Sequence, residues 1–339
     1  MMEIKGNRFL VIGGAGFIGS HLVDLLLAQG AAQVRIYDNF SRGTRANLED
    51  ALRDHRTEVF GDGGDILHRD TLLRAMDGMD GVFHLAALWL LQCHEYPRSA
   101  FEVNVAGAMN VIESVIASGV KRLVFSSSAS VYGDAVTEPM EEDHPFNCQE
   151  FYGASKVCGE MLLRALHNRE QSKGSGFEYV GLRYMNVYGP RQDYHGAYIA
   201  VIMKMLDAID KGESPTIMGD GSEAFDFVAV EDCALANVCA MKSDAVDSFY
   251  NVGTGKRTSL KELAEKLLVL TGCPNPIQFA PRSQATLVRN RVGSAKKASA
   301  EIGFTSQIEL DEGLQRLIDW RASHKAEVAA RRHAVGLPT

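Results

Sequence analysis

Phe9-Leu10-Val11-Ile12-Gly13-Gly14-Ala15-Gly16-Phe17-Ile18-Gly19-Ser20-His21 joins an apolar run to a glycine-punctuated turn and then to a helix-forming stretch. The run Phe9 to Ile12 reads as a buried strand, and Phe17 to Leu26 reads as a helix. Gly13, Gly16 and Gly19 stand in a GxxGxxG spacing rather than GxGxxG, but the physical needs are the same. One glycine makes a tight turn, another lets a pyrophosphate approach the backbone, and the third lets the helix lie close to the sheet. The helix N-terminus then offers free N–H groups and the positive end of its dipole to a phosphate.

A second apolar segment, Gln33 to Tyr37, ends in Asp38, about 20 residues beyond the glycines, where a ribose-binding carboxylate belongs. A carboxylate there accepts from the 2′-hydroxyl of NAD and repels a 2′-phosphate. Arg42 and Arg45 follow closely and leave NADP open.

The chain has 339 residues, 46% of them hydrophobic and 23% charged, enough for one large domain or two. A net charge of -8 argues against nucleic acid or an anionic membrane as the main partner. No apolar run is expected to cross a membrane, and Met1-Met2-Glu3-Ile4-Lys5 does not open a signal peptide. Cys93, Cys148, Cys158, Cys233, Cys239 and Cys273 form no CxxC pair, so no metal site is expected and the cysteines are read as reduced, in a cytoplasmic protein.

Strands and helices alternate through the first half. Strands are expected at Glu58–Asp62, Gly81–Ala87 and Lys121–Phe125, with helices near Asp70–Met76 and Ser99–Ser118. That alternation implies an α/β Rossmann-type doubly wound parallel sheet whose ligands sit at the carboxyl ends of the strands. Gly13, Asp38, Ala86-Ala87 and Ser126-Ser127-Ser128 all fall there. Tyr152 and Lys156 follow at i, i+4, on one face if a helix begins nearby. A nearby ammonium favours tyrosinate, which can take a proton from an alcohol while a hydride leaves the same carbon, and Ser128 can hold that alcohol. Beyond Arg183 the pattern loosens. Thr216–Ser222 looks like a strand with a hairpin turn, Phe225–Val230 like another strand, and helices are expected at 198–211, 231–241, 260–271 and 310–321. The division expected is residues 1–182 for the nucleotide, with return segments near 225–255, a smaller C-terminal α/β substrate domain at 183–322, and a frayed tail at 323–339.

From Arg8 to Arg321 the chain resembles the extended short-chain dehydrogenase/reductase superfamily, and within it the nucleotide-sugar epimerase/dehydratase family of the UDP-glucose 4-epimerase type. The likeness is carried by the glycine turn, Asp38-Asn39-Phe40-Ser41-Arg42-Gly43, Gly61-Asp62 with Asp65-Ile66, His84-Leu85-Ala86-Ala87, Asn104-Val105, Phe125 to Gly133, Tyr152 with Lys156, and Arg183 to Arg191. The resemblance implies NAD as cofactor, contacted by Gly13, Gly16, Phe17, Ile18, Asp38, Asn39, Ser41, Arg42, Gly43, Leu85, Ala86, Ala87, Asn104, Ser126, Tyr184 and Val187. It places Asp65 and Ile66 along the adenine and Lys156 on the nicotinamide ribose. It makes Tyr152 the base, Ser128 its partner, and Asn186 a contact to the phosphate of a nucleotide-diphosphate sugar. It also implies a homodimer built from a four-helix interface, here the helices around Ala100–Ser118 and Tyr152–Arg169.

The reaction implied is transient oxidation at C4 with return of the hydride to the other face. Dehydratases of the family carry Asp-Glu after the catalytic hydroxyl residue, and decarboxylating relatives a glutamate in that stretch. Ala129-Ser130 stand there instead, which favours simple epimerisation. The family's Thr-Arg-Asp-Phe-Val reads Ala224-Phe225-Asp226-Phe227-Val228, so the arginine on the substrate diphosphate is replaced by Phe225. Arg191, Arg282, Arg289 and Arg291 are the candidates to replace it. A dehydratase or net oxidoreductase acting on an atypical substrate, and a non-catalytic NAD-binding protein, remain as alternatives.

Overall fold

Strand β1 (Arg8–Ile12) shows why this sequence makes a sheet covered on both faces. Successive side chains point to opposite sides, so Phe9 and Val11 enter one core cluster while Leu10 and Ile12 enter another. The computed structural model describes residues 2–192, 200–281 and 288–334. In chain order its further strands are β2 (Gln33–Tyr37), β3 (Thr57–Val59), β4 (Gly81–His84), β5 (Arg122–Ser128), β6 (Glu178–Tyr184), β7 (Asn186–Tyr188), β8 (Thr216–Met218), β9 (Ala224–Phe225), β10 (Phe227–Ala229), β11 (Ser248–Val252), β12 (Thr258–Ser259), β13 (Gln278–Ala280) and β14 (Asn290–Arg291). Seven of them form one parallel sheet in the order β11-β6-β5-β4-β1-β2-β3. Parallel neighbours need crossovers, and the helices supply them.

On one face lie α1 (Phe17–Ala28) and, from far along the chain, the helix Val230–Lys242. Leu22, Val23 and Leu26 of the first meet Cys233, Ala236 and Ala240 of the second in a shared cluster. The opposite face is covered by α2 (Arg69–Met76) and by a run that begins with two short helices, α3 (Leu90–Glu95) and α4 (Pro97–Phe101), and continues as α5 (Ala108–Ser118) and α6 (Phe151–Ser172). Leu72, Val111, Ile112, Val115 and Leu163 face the sheet there, each burial stabilising by roughly 1.5–3 kcal/mol. The remaining helices are α7 (Ala200–Asp210), α8 (Val230–Lys242), α9 (Leu260–Thr271), α10 (Lys296–Ile302), α11 (Leu310–Ser323) and α12 (Lys325–Ala334). Among these, α7, α9 and α11 enclose a third cluster with Ile202, Leu206, Leu263, Leu267, Leu314 and Leu317.

Several expectations are corrected. The single long helix expected over Ser99–Ser118 is interrupted by a π-helical turn, Glu102–Gly107. The wide turn carries Asn104 inward, while Gly107 sits so close to Ile66 that an added Cβ would lie 2.6 Å from it. By length and apolar composition the run Pro97–Ser118 is enough to cross a membrane, contrary to expectation, yet its Ala100, Ala108, Val111 and Ile112 are buried in the protein's own core. No hairpin forms at Asp220-Gly221, because β8 pairs in parallel with β13. The strand expected at Phe225–Val230 is split: β9 pairs with β12 and β14, whereas β10 pairs with β7. The buried Asp226 between them accepts from Thr254 N at 2.8 Å, Thr254 Oγ1 at 2.7 Å and Gly255 N at 2.9 Å, so the chain changes sheets at that residue. Where a frayed tail is expected from Ser323, α12 occupies Lys325–Ala334.

Candidate active site

The glycines create a cradle that side chains would fill. Gly13 has a positive φ of 81°, and a Cβ on it would lie 2.7 Å from the Ala86 backbone nitrogen. A Cβ on Gly19 would lie 2.1 Å from the Gly13 carbonyl oxygen, which is how α1 comes to start directly against the turn. Gly16 caps α1, and the side chains of Phe17 and Ile18 begin it. Asp38, at the end of β2, accepts from Ala15 N at 2.9 Å and from Phe40 N at 2.8 Å. Its carboxyl is raised above the ordinary range by burial, against the pull of those two N–H bonds. Gly43 closes on Ala15, and Ser41 N donates to Asn39 Oδ1 at 3.0 Å. Arg42 lies over the Trp89 ring at 5.0 Å. A carboxylate at the strand end, a helix N-terminus and a backbone cradle fit NAD.

The other expected cofactor residues have partners within the protein. Asn104 spends its amide on the loop after β4: Leu88 N donates to its Oδ1 at 2.7 Å and its Nδ2 donates to Leu88 O at 2.8 Å. It therefore fixes the course of Leu85, Ala86 and Ala87 through Leu88. Asp65 takes the Leu67 N–H at 2.9 Å, and Ile66 is a core residue beneath Gly107. Ser126 Oγ and the buried Tyr184 hydroxyl are bonded at 3.1 Å, with Asn237 Nδ2 donating to Tyr184 at 2.8 Å. Val187 sits in β7 beside Val228.

Ser128, Tyr152 and Lys156 are brought together. Ser128 ends β5, and the other two lie one turn apart at the start of α6. Ser128 acts on the Tyr152 phenol in the direction that favours its ionised form. Lys156 Nζ donates to the Ser126 carbonyl at 2.8 Å and lies 5.8 Å from the Tyr152 ring centre. The expected activation of Tyr152 by the ammonium is not what the protein alone provides. Burial pushes the phenol up to about 12, and Ser128 and Arg42 only partly oppose it. Lys156 is itself pulled down to about 8 by the same desolvation. The ammonium is held on a backbone carbonyl.

The four arginine candidates separate. Arg191, at a positive φ of 66°, donates from Nη1 to Asp24 Oδ2 of α1 at 2.7 Å, and the Pro190 carbonyl beside it is bonded to His21 at 3.0 Å. That ties it to α1. Arg289 is exposed, its backbone N–H on Asp134 Oδ1 at 2.8 Å, and Arg282 lies outside the described residues. Arg291 is buried and stands directly beside Phe225 in the β14–β9 pairing. Its Nη1 donates to Ser130 Oγ at 3.3 Å, and Ser130 N in turn donates to Ser128 Oγ at 3.1 Å. Glu150, just before Tyr152, is 3.8 Å from its guanidinium. Asn186 Nδ2 reaches only the Asp226 carbonyl, at 3.4 Å. A cavity of about 700 Å³ lined by Glu142, Phe146, Arg164, Arg183 and Lys297 includes none of Ser128, Tyr152 and Lys156.

Two groups near this site went unread in the sequence. Glu160, four residues beyond Lys156, is wholly buried against Arg183, and the repeat of the Tyr–Lys spacing was its available signal. Asn237, which holds Tyr184, comes from α8 and carries no spacing signal.

Known proteins match this arrangement along most of the chain. A putative UDP-glucose 4-epimerase of Methanocaldococcus jannaschii is 36% identical over 321 residues, covering 92% of this chain and 97% of that protein. The structure of a UDP-N-acetylglucosamine 4-epimerase from Methanobrevibacter ruminantium, in complex with UDP-N-acetylmuramic acid, superposes with a TM-score of 0.87 at 31% identity, covering 94% and 99% of the two chains. The UDP-glucose 4-epimerase of Thermus thermophilus in complex with NAD does so with a TM-score of 0.79 at 33% identity, covering 93% and 99%. With residues 9–253 matching the NAD dependent epimerase/dehydratase family, the chain belongs to that family and is an NAD-dependent enzyme.

Proposed function

We propose that this enzyme is a nucleotide-sugar 4-epimerase, working in the cytoplasm in polysaccharide or glycoconjugate biosynthesis. The observation that carries the reading is the meeting of Ser128, at the end of β5, with Tyr152 and Lys156, at the start of α6, together with Ala129 and Ser130 where an elimination needs an acid and a base. Gly13, Asp38 and Lys156 would hold NAD, which would supply a reversible hydride acceptor. The chain's own residues do the rest. Tyr152 Oη takes the proton of the sugar's 4-hydroxyl and returns it, and Ser128 Oγ orients that hydroxyl. Lys156, fixed on the Ser126 carbonyl, holds positive charge beside the reacting carbon. Arg291 takes the place of the arginine absent at Phe225 and meets the anionic part of the substrate, which lies in the second half of the chain. A homodimer through α5 and α6 is in keeping with exposed Tyr96, Phe101 and Met161 on that side of the molecule.

The test is proton NMR of the purified protein, with no nicotinamide added, mixed in turn with UDP-, dTDP-, GDP- and CDP-sugars. The expected outcome is a new anomeric signal from one sugar at constant absorbance at 340 nm. A keto product would replace epimerisation by dehydration. Silence across the panel, with NAD recovered from the denatured protein, would overturn the nucleotide-sugar assignment.

A further inference from the structure

The three serines ending β5 serve α6 in three ways. Tyr152, Lys156 and Glu160 recur every four residues, one above the other on a single helix face. Ser128 favours the ionised form of the Tyr152 phenol, the Ser126 carbonyl takes Lys156 Nζ at 2.8 Å, and Ser127 Oγ donates to Glu160 Oε1 at 2.6 Å. Glu160 has 0% exposure, and a carboxylate in that position is tolerated only when paired and fully bonded. Arg183, register partner of Ser127 on β6, provides the pair: Nε donates to Oε1 at 2.9 Å and Nη2 to Oε2 at 2.7 Å. Its remaining nitrogen, Nη1, donates to Tyr132 Oη at 2.7 Å and to the Glu142 carbonyl at 2.8 Å, so the guanidinium is fixed from every side.

We propose that Glu160 is the positioning residue of the Tyr152–Lys156 pair, locking α6 to β5 one turn beyond Lys156 and supplying the counter-charge that keeps Lys156 an ammonium. The proposal rests on the catalytic reading of Tyr152 and Lys156 given above. The lock is geometric, because sliding or rotating α6 to misplace Tyr152 would strand a buried carboxylate. The counter-charge follows from what surrounds Lys156. Phe125 on β5 presents its ring at 5.4 Å, His84 on β4 is buried and neutral, Cys93 on α3 is held as a thiol by burial, and Tyr152 is protonated. Of the two groups that oppose the desolvation of the ammonium, Cys93 and then Glu160, the first is held as a thiol by burial, which leaves the carboxylate.

Glu160→Gln, Glu160→Asp and Ser127→Ala test this in the NAD-loaded enzyme. The titration of Lys156, followed by NMR of ε-13C-labelled lysine without substrate, is expected to move down by about one pH unit in Glu160→Gln and to return toward the native midpoint in Glu160→Asp. The alkaline limb of the kcat profile should move with it, at a KM within about twofold of native. A folded Glu160→Gln protein whose Lys156 titration and kcat profile are both native would overturn the proposal. If that variant does not fold, Ser127→Ala, which leaves both charges in place, decides: a kcat reduced by ~10-fold supports the lock, and a native kcat sinks it. The NMR titration needs no substrate, so it stands even where the sugar panel is silent.

Discussion

The nucleotide half and the second half of this protein are built on different scales of pairing. In the first, strands of five to seven residues such as β1, β5 and β6 align over their whole length, and each strand end delivers a functional group at a fixed distance from a motif. In the second, β9, β12 and β14 are two residues long, and Phe225 meets Arg291 through a pairing that joins positions 66 residues apart. Long registers make a site that resists change. Short ones let a neighbouring strand supply a side chain, the role proposed above for Arg291 beside Phe225.

The strongest test of that contrast is Tyr152→Phe. If the chemistry resides in the first half, kcat falls by about 10²–10⁴-fold with bound NAD and fold unchanged, measured by initial rates and by nicotinamide content after denaturation. Survival of activity would move the chemistry elsewhere and dissolve the contrast. Next is Arg291→Met. Loss of a charge-assisted contact worth roughly 1.5–3 kcal/mol should raise KM by about 10- to 100-fold while kcat changes less. A fall in kcat alone would mean that Arg291 serves Ser130 and Ser128, and that the second half holds its anion by other means.

The smallest effect sharpens the first region only. His84, at the end of β4, is depressed to about 3 by burial and by Lys156, whereas in the unfolded chain it titrates near 6.5. A histidine depressed in the folded state contributes its full stability above pH 6.5, and that contribution erodes as pH falls through the window from 6.5 toward 3. Between pH 6.5 and 5 the loss is roughly 2 kcal/mol. His84→Leu should therefore show a shallower decline of the urea midpoint over that range. An unchanged slope would place the acid sensitivity on other groups, among them His21, which burial depresses to about 4.

Why one half was legible and the other was not follows from the same scales. Gly13, Asp38, Ser128, Tyr152 and Lys156 each sit at a countable interval from a strand or a helix start, and the structure gathers them as that spacing requires. Spacing puts Tyr152 and Lys156 on a shared face but does not announce the carbonyl at Ser126 that captures the ammonium. The π-helical turn at Asn104 was invisible because its cause lies in Ile66 and Leu88, outside the helix. The positive φ of Arg191 and its bond to Asp24 of α1 are likewise unannounced by the local sequence. The split at Asp226 depends on Thr254 and Gly255, 28 and 29 residues later, and no local pattern announces it.

The central sheet closes late in the life of the polypeptide. Its edge strand β11 (Ser248–Val252) lies beyond the α7 and α8 segments, so β6 has no outer neighbour until the ribosome has added about 70 more residues. At 5–20 residues per second that interval is roughly 3–14 s. Throughout it, Glu178-Tyr179-Val180-Gly181-Leu182-Arg183-Tyr184 presents a bare β-edge to the cell, with Gly181 open where the Phe249 ring will later pack. The nascent chain is thus at its most vulnerable to wrong partners after most of its catalytic residues have already been made, and a truncation anywhere before Val252 would leave that exposure permanent.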